Sequence, residues 1–151
     1  AIEIRKMQWK WVEFDTRLIR FPEEAMKKSR IHILPISDQV YEVLKRQYTI
    51  SGDSELVFPA IFSKKNDGML AKETLNSMLE YIGLKGVTTH DFRATASTLL
   101  YEKGYEEAWV EKQLAHAESN KTKASYDHSQ HLDARRKMMQ DWADIVDSWK
   151  D

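Results

Sequence analysis

Residues 88–104 constrain the fold most, because they carry the start, the body and the end of one helix. Thr88 is suited to the N-cap position, and Asp91, three residues later, completes a capping-box pattern. Gly104 is suited to the left-handed position that ends many helices. The sequence therefore predicts a helix from Thr88 towards Gly104, with the rest of the chain organised around it.

The two faces of this helix differ in character. At about 100° per residue, His90 and Arg93 share one face, and Phe92, Ala96 and Leu99 lie on the opposite one. We expect the apolar face to pack and the His90–Arg93 face to remain free for chemistry. Such a pair at a helix N-terminus, where backbone N–H groups lack partners, favours phosphate binding. A capping or surface role for His90 is the alternative.

A second helix is predicted over residues 106–114, directly after Gly104. Two helices joined by a glycine turn also fit a helix-turn-helix module that binds DNA without catalysing a reaction. That hypothesis gives no role to His116, which follows the second helix, or to Tyr126, ten residues further along the chain.

The N-terminal part is predicted to form a small antiparallel sheet. Residues 18–21 and 30–36 are rich in alternating apolar and β-branched residues, and the segment PEEAMKKS joins them, which indicates a hairpin. Residues 9–15 are interpreted as a short turn, and residues 1–7 as the end of a helix. Residues 56–58 are expected to form a buried strand or extended segment.

Three further helices are predicted from apolar residues at helical spacing. The first runs from the N-cap Ser37 to about Tyr48 and buries one face, formed by Val40, Val43 and Leu44. The second covers residues 72–82. Its apolar side consists of Leu75, Met78, Leu79 and Ile82. The third begins at Leu132, and its apolar stripe consists of Ala134, Met138, Trp142, Ile145 and Trp149.

The charge is distributed unevenly along the chain. The formal net charge is −1, whereas DNA-binding domains are often basic. Residues 1–35 hold eight Lys or Arg against five Asp or Glu, and residues 119–137 hold five against two. The last fourteen residues carry four Asp and one Lys. In the net charge, an acidic tail can therefore cancel two basic segments that flank the helix with His90 and Arg93. The alternative interpretation is that these are ordinary solvated charges.

The composition argues against several classes of protein. The chain has no cysteine, which excludes disulfides and thiolate metal sites. Its five His are not paired with carboxylates at helical spacing, so we expect no metal and no cofactor. The longest apolar run, LVFPAIF, is too short to span a bilayer. We predict a soluble, cytoplasmic protein with no membrane partner.

The order of these residues resembles the tyrosine recombinases (phage integrase family), and among them the integrases of satellite phages and genomic islands. The family pattern is H-x-x-R, then L-G-H, then a nucleophilic Tyr about ten residues later. Here it is matched by His90, Arg93, His116 and Tyr126, with Ala115 in place of the Gly. The resemblance extends through MQWKWVEFD, FPEEAMKKSRIHILPIS, LVFP and HLDARRKMMQDWADIVDSW, so it covers essentially the whole chain.

The resemblance implies an activity and a fold. The activity is site-specific integration or excision of a phage or genomic island through a 3′-phosphotyrosyl intermediate. The fold is an α-dominated mixed α+β domain over residues 1–151, with a small antiparallel β-sheet near its N-terminus. A type IB topoisomerase-like strand transfer, which shares this chemistry without synapsis, is the runner-up enzyme.

The resemblance also implies roles for the site residues. Tyr126 would be the nucleophile, His90 its base, and Arg93 and His116 donors to the non-bridging phosphate oxygens. The pattern M-K-x-x-R-x-H-x-x-P assigns the general acid to Lys27. The residues expected to contact DNA are Lys28, which is also the alternative acid, Arg30, Lys64, Lys65, Lys121 and Lys123.

Two further expectations follow from the family. Its R-x-x-E-(I/L) motif, matched at Glu3 and Ile4, places the first catalytic arginine immediately before Ala1. We therefore expect the chain as given to lack that arginine and the N-terminal arm, to fold, and to be impaired in recombination. The expected partners are double-stranded DNA attachment sites in the bacterial nucleoid, further copies of the chain in a tetramer, a host DNA-bending protein and an excisionase.

Overall fold

The computed structural model of the protein describes residues 2–26, 30–62, 65–115 and 130–150, with the backbone alone for residues 65 and 66. Within these ranges helices dominate, and a three-stranded antiparallel sheet lies near the N-terminus. The predicted α-dominated mixed α+β fold is confirmed. No helix in these ranges is long and apolar enough to cross a membrane.

The sheet has the same order in space as in the chain. Its strands are β1 (Val12–Glu13), β2 (Leu18–Phe21) and β3 (His32–Pro35). The antiparallel pairing of β2 with β3, in which Phe21 lies opposite His32, confirms the predicted hairpin. The interpretation of residues 9–15 as a turn is wrong at β1, because a strand of two residues is too short to show a periodic pattern.

The first hydrophobic core lies between the sheet, the helix after it and the segment around Val57. Its buried members are Met7, Val12, Ile19, Phe21, Ala25, Ile36, Leu44 and Val57. The predicted N-terminal helix is present as α1 (Ile2–Lys6) and leads into this core. Leu56 and Val57 are buried as expected, and the Val57 N–H donates to the Met7 carbonyl at 2.9 Å.

The helix α2 (Asp38–Ser51) begins as predicted but turns a different face inwards. The Ser37 hydroxyl caps it by accepting from the Val40 N–H at 3.4 Å. Val40 and Val43 are nevertheless 43% and 56% exposed, so the prediction that both are buried is wrong. Tyr41 packs edge-on against Phe14, with ring centroids 5.7 Å apart, and both rings lie against the first core.

The helix α3 (Thr74–Tyr81) matches the helix predicted over residues 72–82. Its predicted apolar side is not buried throughout, because Met78 and Ile82 are exposed. Helical spacing shows which residues share a side of a helix, but it does not show whether another element covers that side.

The second hydrophobic core is formed by three helices. These are α4 (Thr89–Glu102), α5 (Glu107–Gln113) and α6 (Leu132–Asp147). Leu100, Val110 and Met138, one from each helix, are buried together, and Trp142 packs against them. The apolar stripe of the last predicted helix therefore packs on this core at Met138 and Trp142, whereas Trp149 is exposed.

The inward face of α4 differs from the predicted one. Phe92 is 52% exposed, whereas Leu100 is buried. Arg93, which lies two turns before Leu100 on the same face, is half-buried. The expectation that Phe92 packs and that Arg93 stays free is therefore wrong, since the contacts with α5 and α6 rotate α4 so that the arginine faces inwards.

Candidate functional site

The start of α4 is stabilised by polar contacts on two sides. The Asp91 carboxylate accepts from the Thr88 N–H at 2.8 Å and from the Thr88 hydroxyl at 2.7 Å, which confirms the predicted capping pattern. These hydrogen bonds from Thr88 lower the pKa of Asp91 below its usual range. The Thr89 N–H donates to the Asn76 side chain of α3 at 3.1 Å. The first turn of α4, which carries the exposed His90, is thus held in place.

Arg93 links α4 to the end of α5. Its Nη2 donates to the backbone carbonyl of Leu114, the residue directly after α5. A guanidinium has five N–H donors, so this bond leaves others for an anionic ligand. Because the side chain is half-buried, its charge is screened less by solvent than that of an exposed arginine.

The turn after Leu114 requires an unusual backbone conformation. Ala115 has φ +52°, in the left-handed region that favours glycine. Its N–H donates to the Lys112 carbonyl at 3.3 Å, and the Leu114 N–H donates to the Val110 carbonyl at 3.0 Å. Ala115 stands where the L-G-H pattern has glycine, so the geometry of this turn accounts for the glycine of that pattern.

A histidine to which the sequence analysis assigned no role lies beside this turn. His32, the first residue of β3, is half-buried and stacks on Phe21 with ring centroids 6.4 Å apart. Burial lowers the pKa of His32 to about 4; the charges of Arg135 and Arg93 lower it further, and Glu3 opposes them. His32 is therefore a neutral imidazole at neutral pH, placed close to two guanidinium groups.

Arg135, in the first turn of α6, is a second residue to which the sequence analysis assigned no role. Its side chain is fully buried. Nε and Nη2 donate to Gln113 Oε1 at 3.1 and 2.8 Å, Nη2 also to the Ile33 carbonyl at 2.6 Å, and Nη1 to the Gln130 carbonyl at 3.0 Å. Burial lowers the pKa of Arg135 to about 10, so it remains charged at neutral pH. The sequence did contain a signal of its burial, because Arg135 lies three residues before Met138 and so shares a face of the helix with the apolar stripe.

The structure describes only some of the predicted site residues. His90, Arg93 and Arg30 are described, and Arg30 is exposed at the entrance to β3. Seven predicted residues lie outside the described ranges: Lys27, Lys28, Lys64, His116, Lys121, Lys123 and Tyr126. For Lys65 the structure describes the backbone but not the side chain. The roles of Lys65 and of the seven residues above therefore stay predictions. No group of three or more His, Asp or Glu among the described residues could hold a metal ion.

Comparison with known proteins decides the family. The profile of the phage integrase family matches residues 1–132. The chain belongs to the phage integrase family. The matched region contains every residue that the motif pattern assigned to the catalytic site, from Lys27 to Tyr126.

Curated members of the integrase family resemble nearly the whole chain. Prophage integrase IntZ of Escherichia coli (strain K12) is 40% identical over 148 residues, which is 97% of this chain and 36% of the relative. The integrase of Shigella phage Sf6 is 38% identical over 96% of this chain and 38% of its own length. The integrase of Enterobacteria phage P4 is 36% identical over 96% of this chain and 36% of its own length. The chain thus spans well under half the length of these integrases, and no solved structure matched it.

Proposed function

We propose that residues 1–151 form a single catalytic domain of a site-specific DNA recombinase, which integrates or excises a phage or genomic island. Family membership and the similarity to phage and prophage integrases support this function. The observation that carries it is the contact of Arg93 with the Leu114 carbonyl, two residues before His116. This contact joins the H-x-x-R helix to the start of the L-A-H segment.

The reaction proposed for this site transfers one phosphoryl group twice. The Tyr126 phenol oxygen bonds to the scissile phosphorus, the bond from phosphorus to the 5′-oxygen breaks, and a 3′-phosphotyrosyl linkage results. His90 takes the phenol proton, and Lys27 gives a proton to the departing 5′-oxygen. The 5′-hydroxyl of a second strand then gives its proton to Lys27 and attacks the linkage, Tyr126 leaves and takes its proton from His90, and the strands are joined.

Positive charge near the phosphate is the main catalytic requirement of this mechanism. A phenol with a pKa of about 10 needs cations nearby to act as a nucleophile at neutral pH. Arg93 fits this role because its planar fork matches two phosphate oxygens and its side chain is already partly removed from water. His116 would donate to a further non-bridging oxygen.

The proposed substrate is double-stranded DNA in the bacterial nucleoid, bound by a tetramer of the protein with a host DNA-bending protein and an excisionase as accessory factors. The proposed backbone contacts come from Lys28, Arg30, Lys64, Lys65, Lys121 and Lys123. Of these, Arg30 is exposed on the described surface, as a phosphate contact requires.

A nicked suicide substrate tests the proposal in the full-length protein. We expect a covalent adduct that Tyr126→Phe abolishes while duplex affinity changes less than about twofold. Tyr105→Phe is the matched control, since Tyr105 donates to Asp141 within the fold and should keep the adduct. An adduct that persists in Tyr126→Phe would overturn the nucleophile assignment. Binding without an adduct would indicate the helix-turn-helix module, and relaxation of supercoils without recombinants would indicate a topoisomerase.

A further inference from the structure

The burial of Arg135 is unexpected on energetic grounds. Its side chain is fully buried next to the core formed by Leu100, Val110 and Met138. Burying a cation costs several kcal/mol unless hydrogen bonds and other charges offset it. Every hydrogen-bond acceptor of Arg135 in the described part of the chain is a neutral oxygen. An apolar side chain at this position would continue the apolar stripe of α6 without the cost of desolvating a charge. Packing alone therefore does not explain why the residue is an arginine.

The three acceptors of Arg135 lie beside three different parts of the site. Gln113 directly precedes Leu114, whose carbonyl accepts from Arg93. Gln130 lies two residues before the start of α6. Ile33 follows His32 in β3. One planar group therefore ties the end of α5 and the residues before α6 to the sheet.

We propose that Arg135 is a positioning residue for strand transfer: it holds the end of α5, at Gln113, and the residues before α6, at Gln130, against β3, and so fixes the place of Arg93. The role rests on the proposed function, in which Arg93 acts on the scissile phosphate. Through Gln113 and the adjoining Leu114, the same contact fixes the carbonyl that orients Arg93. Arg93, which would act on the phosphate, thereby depends on Arg135 for its position.

The geometry requires an arginine. The fork of Arg135 donates in three directions from one plane, whereas a lysine offers a single nitrogen that cannot reach all three acceptors at once. We call the hydrogen bonds of Arg135 to Gln113, Gln130 and Ile33 the clamp. Arg135→Lys therefore keeps the charge and loses the clamp, and Arg135→Met loses both. Gln113→Asn leaves the charge in place and withdraws the acceptor by one methylene, which tests the same contact if an Arg135 variant folds poorly.

The neighbouring Arg136 offers a matched control. It lies in the same helix turn and also donates to backbone carbonyls, those of Thr16 at 2.7 Å and Arg17 at 3.3 Å. These acceptors belong to the connection between β1 and β2, not to α5 or to the residues before α6. The same substitutions at Arg136 thus remove comparable hydrogen bonds without touching the proposed clamp.

Two measurements on the full-length protein test the proposal. The first is the single-turnover cleavage rate at saturating suicide substrate, together with the dissociation constant for that DNA. Misplaced reacting groups cost about 100-fold in rate, so Arg135→Lys, Arg135→Met and Gln113→Asn should each lose about that factor with little change in DNA affinity. The second is hydrogen exchange at the Leu114 and Ala115 amides, which should quicken about tenfold or more in these variants. Arg136→Lys and Arg136→Met should change neither quantity.

Each other outcome contradicts the proposal in a distinct way. Full cleavage by Arg135→Lys would show that charge suffices and that no clamp is needed. Faster exchange throughout the sheet, with a parallel loss of DNA affinity, would show that Arg135 is only structural. An adduct formed at the unsubstituted rate by all three variants would refute the role of Arg135 and leave the proposed function intact. Absence of any Tyr126-dependent adduct in the unsubstituted protein would refute both.

Discussion

Arg93 in α4 donates a hydrogen bond to the carbonyl of Leu114, 21 positions later in the chain. The bond joins the helix that starts with the capping box to the end of α5, where the backbone turns at Ala115. The hydrogen bond and the partial burial both restrain the Arg93 side chain, which suits a group that must meet a phosphate with little rearrangement.

Ala115→Gly should stabilise the domain. Ala115 has φ +52°, a conformation that costs an alanine about 1–2 kcal/mol and costs glycine little. The greater freedom of glycine in the unfolded chain offsets part of this gain, so we expect a net increase of about 0.5–1 kcal/mol in the free energy of unfolding. Urea denaturation measures it. Ala94→Gly, in the middle of α4, is the control and should instead lower stability by about 1 kcal/mol. Destabilisation by Ala115→Gly would contradict the observed backbone turn.

Acidification should destabilise the domain through His32. Its pKa is about 4 in the folded protein and about 6.5 in an unfolded chain. The unfolded state therefore binds more protons between these values, and stability falls as the pH drops from 6.5 to 4, by up to about 3 kcal/mol. Arg135 and Arg93 favour the neutral ring, and Glu3 favours the charged one.

His32→Gln should flatten the pH dependence of stability in that window. The measurement is the urea midpoint at intervals of pH, for the substituted and unsubstituted protein. His90→Gln, at an exposed histidine, is the control. A slope between pH 4 and 6.5 that His32→Gln leaves unchanged would show that other groups, and not His32, cause the acid sensitivity.

Lys27 is predicted to protonate the leaving 5′-oxygen. A substrate with sulfur in place of that bridging oxygen has a leaving group that needs no proton, so it should restore cleavage by Lys27→Ala. It should not restore cleavage by Arg93→Ala, because the loss there is charge stabilisation of the phosphate. Single-turnover cleavage in the full-length protein measures both, with Lys28→Ala as the neighbouring control. Rescue of Lys28→Ala alone would move the general acid to Lys28.

The apolar face of α6 should contribute strongly to stability at Met138 and weakly at Trp149. Met138 is fully buried between α4 and α5, and Met138→Ala should cost about 2–5 kcal/mol. Trp149 is 55% exposed and makes an edge-on contact with Trp142, with ring centroids 5.8 Å apart. Trp149→Ala should therefore cost about 1 kcal/mol. Chemical denaturation compares the two, and equal losses would show that the end of the chain docks differently.

Local signals were sufficient for the secondary structure around the site. Thr88 and Asp91 meet in a capping box because they are three residues apart at a helix start, whatever surrounds the helix. The β2–β3 hairpin was likewise predictable, since its alternating residues and short connection lie within one stretch of chain. The family motif identified Arg93 and Ala115, but it did not predict the left-handed turn at Ala115 or the backbone strain that this turn places on an alanine.

The direction in which each helix faces was decided by tertiary structure. Periodicity predicted that Phe92 packs and Arg93 points outwards, whereas the contacts with α5 and α6 turn Arg93 inwards. Val40 and Val43 are likewise exposed, and Tyr41 and Leu44 of the same helix face the first core instead. Rotation of a helix about its axis depends on the shapes of its partners, and helical spacing within one segment carries no information about them.

The sequence by itself determined the family and most of the order of helices and strands, because these depend on residue types and short spacings. Only the folded structure decided that Arg135 is buried. One of its acceptors, the Ile33 carbonyl, is 102 positions away, and Gln113 is 22 positions away. Burial of a guanidinium is tolerable only where such distant oxygens converge on it, and that convergence is a property of the tertiary fold.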